Sequence, residues 1–91
     1  MSDIRIERTH NIGKEAALAA ALRVAERLKE KVQVNYRVDG DTIEFDRSGA
    51  KGHIVVSAEK VVAEVKLGLL MKPMRGVIES KIDEYFQRYF Q

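Results

Sequence analysis

The sequence predicts an α+β domain: a two-layer sandwich in the order β-α-β-β-β-β-α, with a mostly antiparallel five-stranded sheet and two helices on one of its faces. Three observations carry this expectation. Two segments, one early and one at the end, repeat apolar residues at helical spacing. Between them, four short segments alternate apolar and polar residues and are separated by turn residues. The polar positions of the strand segments, including one before the first helix, collect Arg5, Glu7, Asn35, Arg37, Thr42, Glu44, Asp46, Glu64 and Lys66 on one face. A face that polar must meet water, so both helices should cover the other. The 91 residues suffice for one core and a single domain over residues 1–91.

The elements follow in order. Residues 3–8 place Ile4 and Ile6 on one side and Arg5 and Glu7 on the other, the pattern of a half-buried strand. Asn11 is the expected N-cap, since its side-chain oxygen can accept a bond from a free first-turn amide. A helix over residues 13–31 then carries Leu18, Ala21, Leu22, Ala25 and Leu28 at three- and four-residue steps. Its alanines favour helix and allow close approach to a sheet. In residues 33–38, Val34, Tyr36 and Val38 share a face. Asp39-Gly40 signals a tight hairpin into residues 41–47. A looser loop over residues 48–52 leads to residues 53–57, and a turn near Glu59-Lys60 to residues 61–67. The first strand should close the sheet beside the fifth.

Residues 68–72 read as a connector, and Pro73 suits the first turn of a helix that runs to Phe90. On that helix Met74, Ile78, Ile82, Tyr85, Phe86, Tyr89 and Phe90 fall within an arc of roughly 160°. Tyr85, Phe86, Tyr89 and Phe90 are four of the six aromatic residues in the chain. Phe86 and Phe90 lie toward one margin of the arc. They either cap the core or present an aromatic surface to a partner, and the four are the candidate surface- or partner-binding residues. A homodimer through this helix is the second use such a surface allows.

Composition excludes several functions. With no cysteine, thiolate metal sites, disulfides and cysteine nucleophiles are absent. The two histidines, His10 and His53, lack the spacing of metal ligands, so no metal and no cofactor is expected. Asp46, Ser48 and His53 lie close in sequence, but Ser48 sits in a hairpin loop rather than on a nucleophile elbow. Glu44 and Asp46 share a solvated strand face, which offers no burial to separate their pKa values. No catalytic residue emerges, and a non-enzymatic role is expected.

The net charge is +2, but basic and acidic residues are mixed along the whole chain, so nucleic acid is not the expected partner. The longest late apolar run, Leu67-Gly68-Leu69-Leu70-Met71, is too short to span a bilayer. Charges interrupt the N-terminus at once, and a cytoplasmic protein is expected. Lys66, Lys72 and Arg75 cluster around the start of the last helix and form a candidate anion-binding site, for instance for a phosphate of an acyl-coenzyme A.

The ordered set Tyr36-x-x-Asp39-Gly40-Asp41-x-Ile43-x-Phe45-x-Arg47-Ser48-Gly49-x-x-Gly52 resembles the middle of the polyhydroxyalkanoic acid system family. Lys66-Leu67-Gly68-Leu69-Leu70 resembles the family's closing segment. The opening strand, His10 and the Ala-rich helix resemble its start. The resemblance implies a small bacterial accessory protein of polyhydroxyalkanoate storage, with the granule surface or a granule protein as partner, and carries no catalytic residues. The element order is also similar to a shortened helix-grip fold, which makes a binder of an acyl or other hydrophobic ligand the alternative.

Overall fold

The computed structural model describes residues 2–90. The elements are β1 (Ile4–Thr9), α1 (Lys14–Val32), β2 (Asn35–Asp39), β3 (Thr42–Arg47), β4 (Ala50–Val56), β5 (Lys60–Leu67), a 3₁₀ segment (Leu69–Met74) and α2 (Arg75–Tyr89). The sheet order is β1-β5-β4-β3-β2, antiparallel throughout, and β1 closes it beside β5 with Ile4 opposite Val65. This is the expected α+β order.

Alternation decides the faces. Ile4, Ile43, Phe45, Ile54, Val56, Val61, Ala63 and Leu67 point inward and are buried. The helices cover them. Ala17, Ala20, Ala21 and Ala25 are buried on α1, where their short side chains let the helix axis lie close to the sheet. From α2 come Ile78, Ile82, Tyr85 and Phe86.

Three local expectations are corrected. The N-cap of α1 is Gly13, at φ 85 and ψ 158, and no side chain caps it. Asn11 lies too early, and the loop is organised instead by His10. Its Nδ1 accepts from the Ile12 amide at 3.4 Å and its Nε2 lies 2.9 Å from the Ser57 carbonyl, which together assign the Nε2–H tautomer. Strand β4 begins at Ala50, within the expected loop. Gly52 is a strand residue opposite Val65, where a Cβ would come within 2.7 Å of the Glu64 carbonyl. It marks a close approach of backbones, not a turn. The last α-helix starts at Arg75 rather than Pro73, because the connector itself winds into 3₁₀ turns. As expected, Val38 shares a face with Val34 and Tyr36; the edge of the sheet leaves it 48% exposed.

The hairpin between β2 and β3 turns at Gly40, whose φ of 61 suits the first position of a two-residue turn. The polar face carries a row with one residue per strand: Arg37, Glu44, His53, Glu64 and Arg5 in register.

Candidate functional site

The apolar surface of this protein gathers where β5 hands over to α2. Leu67 ends β5 inside the core, 3% exposed. Gly68 then donates its amide to the Gly49 carbonyl at 2.7 Å, which pins the chain to the β3–β4 turn. The next residues wind as a 3₁₀ segment with no buried residue. Met71 alone turns back, half-buried against Gly49, where a Cβ would sit 2.7 Å from its Cγ. Leu69 and Leu70 project outward, 84% and 90% exposed. Met74, the last residue of the 3₁₀ segment, and Val77, in the first turn of α2, are exposed as well. Adjacent leucines this exposed are uncommon on a folded monomer, where large exposed apolar patches mark interaction sites.

Asp3 holds the segment in place. Its Oδ2 accepts the Leu67 amide at 2.8 Å, its Oδ1 accepts Lys72 Nζ at 3.1 Å, and its carbonyl accepts Arg75 Nε at 2.9 Å. The Leu67 hydrogen bond, followed by that from Lys72, holds the Asp3 carboxyl below its ordinary pKa.

This geometry corrects the expected anion site. Lys72 is paired with Asp3, and Arg75 with the Asp3 carbonyl and, at 3.9 Å, with Glu79. The Arg75 amide is spent on the Lys72 carbonyl, so the first amide of α2 is not free for an anion. Lys66 stands apart on the polar sheet face, opposite Lys51. The three cations do not converge.

The expected aromatic surface is corrected as well. Tyr85, Phe86 and Phe90 are 2%, 0% and 6% exposed. Phe86 packs edge-on against Phe90 with ring centroids 5.3 Å apart, and Phe90 meets the His10 ring at 5.9 Å. Both margins of the stripe are covered because α2 is flanked by α1 on one side and β1 on the other. Tyr89 is half-buried, its hydroxyl taking a hydrogen bond from Arg27 Nε at 3.1 Å. The exposed patch thus lies at the opposite end of the same helix. Its signal in the sequence was the run Leu67-Gly68-Leu69-Leu70-Met71, notable because no alternation or helical period accounts for it.

Two concavities bear on the remaining expectations. One, about 650 Å³, lies over the polar sheet face and is lined by Arg37, Glu44, Asp46, Lys51, His53 and Glu64 among others. Its charges largely satisfy one another: Arg37 with Glu44 at 3.1 Å, His53 with Glu64 at 3.2 Å, Arg5 with Glu64 at 3.8 Å. His53 thus contacts Glu64, not Asp46 or Ser48. The other is an apolar crevice between sheet and helices, lined by Val34, Ala50, Ile54, Ala63, Met71 and Ile78 among others, with a volume of about 40 Å³. That is small beside the roughly 300–1,000 Å³ of ordinary small-molecule pockets.

Among the described residues no cluster of three or more His, Asp or Glu side chains could hold a metal ion, and no helix is long and apolar enough to cross a membrane. Neither the comparison with curated proteins nor that with solved structures finds a match. The family comparison does: the polyhydroxyalkanoic acid system protein family matches residues 4–90, and the chain belongs to that family.

Proposed function

We propose that this family member is a non-enzymatic accessory protein of polyhydroxyalkanoate storage, acting in the cytoplasm at the granule, and that it docks on the polyester surface through Leu69, Leu70, Met74 and Val77. The family supports the storage system as the setting. The observation that carries the docking surface is the pair Leu69 and Leu70, 84% and 90% exposed on a segment that buries none of its residues. Burying one leucine is worth about 1.5–3 kcal/mol, so this pair can supply on the order of 3–5 kcal/mol on an apolar surface. The non-enzymatic reading is supported by the polar face, where Arg37 and Arg5 pair with Glu44 and Glu64 and His53 contacts Glu64, so the side chains best suited to acid–base work are engaged with their neighbours. The acyl-ligand alternative has less support, since the apolar crevice has a volume of only about 40 Å³.

The test is sedimentation with washed native granules and with protein-stripped polymer particles. Binding to both is expected, with loss of binding in the double variant Leu69→Ser/Leu70→Ser at unchanged circular dichroism. Binding to native granules alone would replace the polymer by a protein of the granule coat as partner. Binding that survives the double variant would remove this patch from the function.

A further inference from the structure

The outer edge of β2 is the least covered strand of the molecule. Of its residues only Tyr36 is even half-buried, and Val38 is 48% exposed. The register identifies which backbone groups are free. Asp39 and Thr42 close a two-residue turn, and the Val56 amide bonds to the Asp41 carbonyl at 2.9 Å, so odd-numbered residues of β3 face β4 and even-numbered ones face β2. Asn35, Arg37 and Asp39 therefore bond to β3, while Tyr36 and Val38 turn their N–H and C=O groups outward. Such an edge is a template for another strand, and proline, a bulge, an inward-pointing charge, shortness and edge charges all guard against it. β2 has no proline and no inward-pointing charge; it is five residues long, its charges Arg37 and Asp39 lie on the polar face, and its inward positions are Tyr36 and Val38. The other edge is better guarded: α2 packs on β1, and the inward-pointing Arg8 reaches Asp83 at 2.9 Å.

We propose that the free edge of β2 pairs, antiparallel and about a two-fold axis, with β2 of a second copy of this chain, extending the sheet across the dimer. The strand is self-complementary in the register centred on Arg37. On the inner face Tyr36 stands opposite the partner's Val38, and Val38 opposite the partner's Tyr36, an aromatic–β-branched pairing that covers the exposed valine. The outward amide and carbonyl of Tyr36 bond those of the partner's Val38, and the reverse. On the polar face Asn35 meets the partner's Asp39, whose carboxylate accepts its amide. Among the described residues Asp39 makes no ion pair. Arg37 faces its own copy on the axis. Like charges opposite each other cost stability, but each Arg37 is already held by its own Glu44 at 3.1 Å and gains the partner's Asp39 as a diagonal neighbour. This inference is independent of the polymer-docking reading and uses a different surface.

The experiment is sedimentation velocity of the full chain over a wide concentration range, with two variants. A concentration-dependent monomer–dimer equilibrium is expected. Val38→Pro removes an amide that points away from β3, so the intramolecular ladder survives, and the variant should be monomeric at every concentration with its circular dichroism retained. Because the chain lacks cysteine, Arg37→Cys supplies one thiol on the axis. Mild oxidation should link it into dimers much faster than Val55→Cys, on the central strand of the open face. The Leu69→Ser/Leu70→Ser variant should dimerise like the unaltered chain. A monomer at all concentrations, a dimer retained in Val38→Pro, equal cross-linking of the two cysteine variants, or loss of the dimer in the leucine variant would each overturn the proposal.

Discussion

The aromatic end of α2 and the 3₁₀ segment before it are two apolar regions with opposite fates. Phe86 and Phe90 are bulkier and more apolar than most of the core, yet they are 0% and 6% exposed. Leu69 and Leu70 are ordinary core residues by type, yet almost wholly in water. The difference lies in what stands beside each. The end of α2 has α1 on one side and β1 on the other, so even the margins of its stripe find neighbours. The 3₁₀ segment leaves the end of the sheet, and of its large apolar side chains Met71 is the one that packs back, against Gly49. Apolar content measures how much surface could be buried. A second layer decides whether it is.

The contrast can be broken most sharply by polar substitution at both ends. Phe86→Ser should cost about 3–5 kcal/mol or more, by analogy with large-to-small core substitutions, and should lower the urea midpoint severely. Leu70→Ser should change stability by less than about 0.5 kcal/mol, leaving that midpoint nearly unmoved, while weakening polymer binding. Comparable destabilisation in the two variants would show that the 3₁₀ segment packs after all.

A smaller effect is expected from Gly49→Ala. The φ of 88 is strained for alanine, and the new Cβ would meet Met71 Cγ at 2.7 Å. The backbone strain alone costs about 1–2 kcal/mol, and Met71 should be displaced. Faster hydrogen exchange at the Gly68 amide, which bonds to Gly49, is the readout; unchanged exchange would mean that this contact does not hold the segment.

The smallest effect concerns the Asp3 clamp. Its carboxyl pKa is lowered from 3.8 by the Leu67 amide and Lys72. A carboxyl whose folded pKa is depressed stabilises the fold above its unfolded value, and that contribution fades as pH falls through the folded value. Stability attributable to Asp3 should thus be constant at neutral pH and be lost progressively as pH falls through the acid range around and below 3.8. The Leu67 amide resonance should titrate in that acid range, and Asp3→Asn should abolish the titration while loosening the 3₁₀ segment. A Leu67 amide indifferent to both changes would remove Asp3 from the clamp.

Much of this protein was legible in its residues because short-range periodicity is a local property. Alternation at Ile4 and Ile6, at Ile43 and Phe45, and at Val61 and Ala63 specified strands and their buried face. The steps from Ala21 to Leu28 specified a helix, Gly40 a tight hairpin, and the row from Arg37 to Arg5 a face that must stay wet. Hairpin connections then left few sheet orders to choose from.

Long-range questions were decided only by tertiary structure. Gly52 reads as a loop residue until β5 is seen pressing against it. Lys72 and Arg75 read as free cations until Asp3, distant in sequence, is found between them. Phe86 reads equally as surface or core until α1 and β1 close on both sides of α2. Residue order and spacing set what each segment can form by itself. Exposure, pairing of charges and close backbone contact depend on which segments meet, and that is a property of the packed layers.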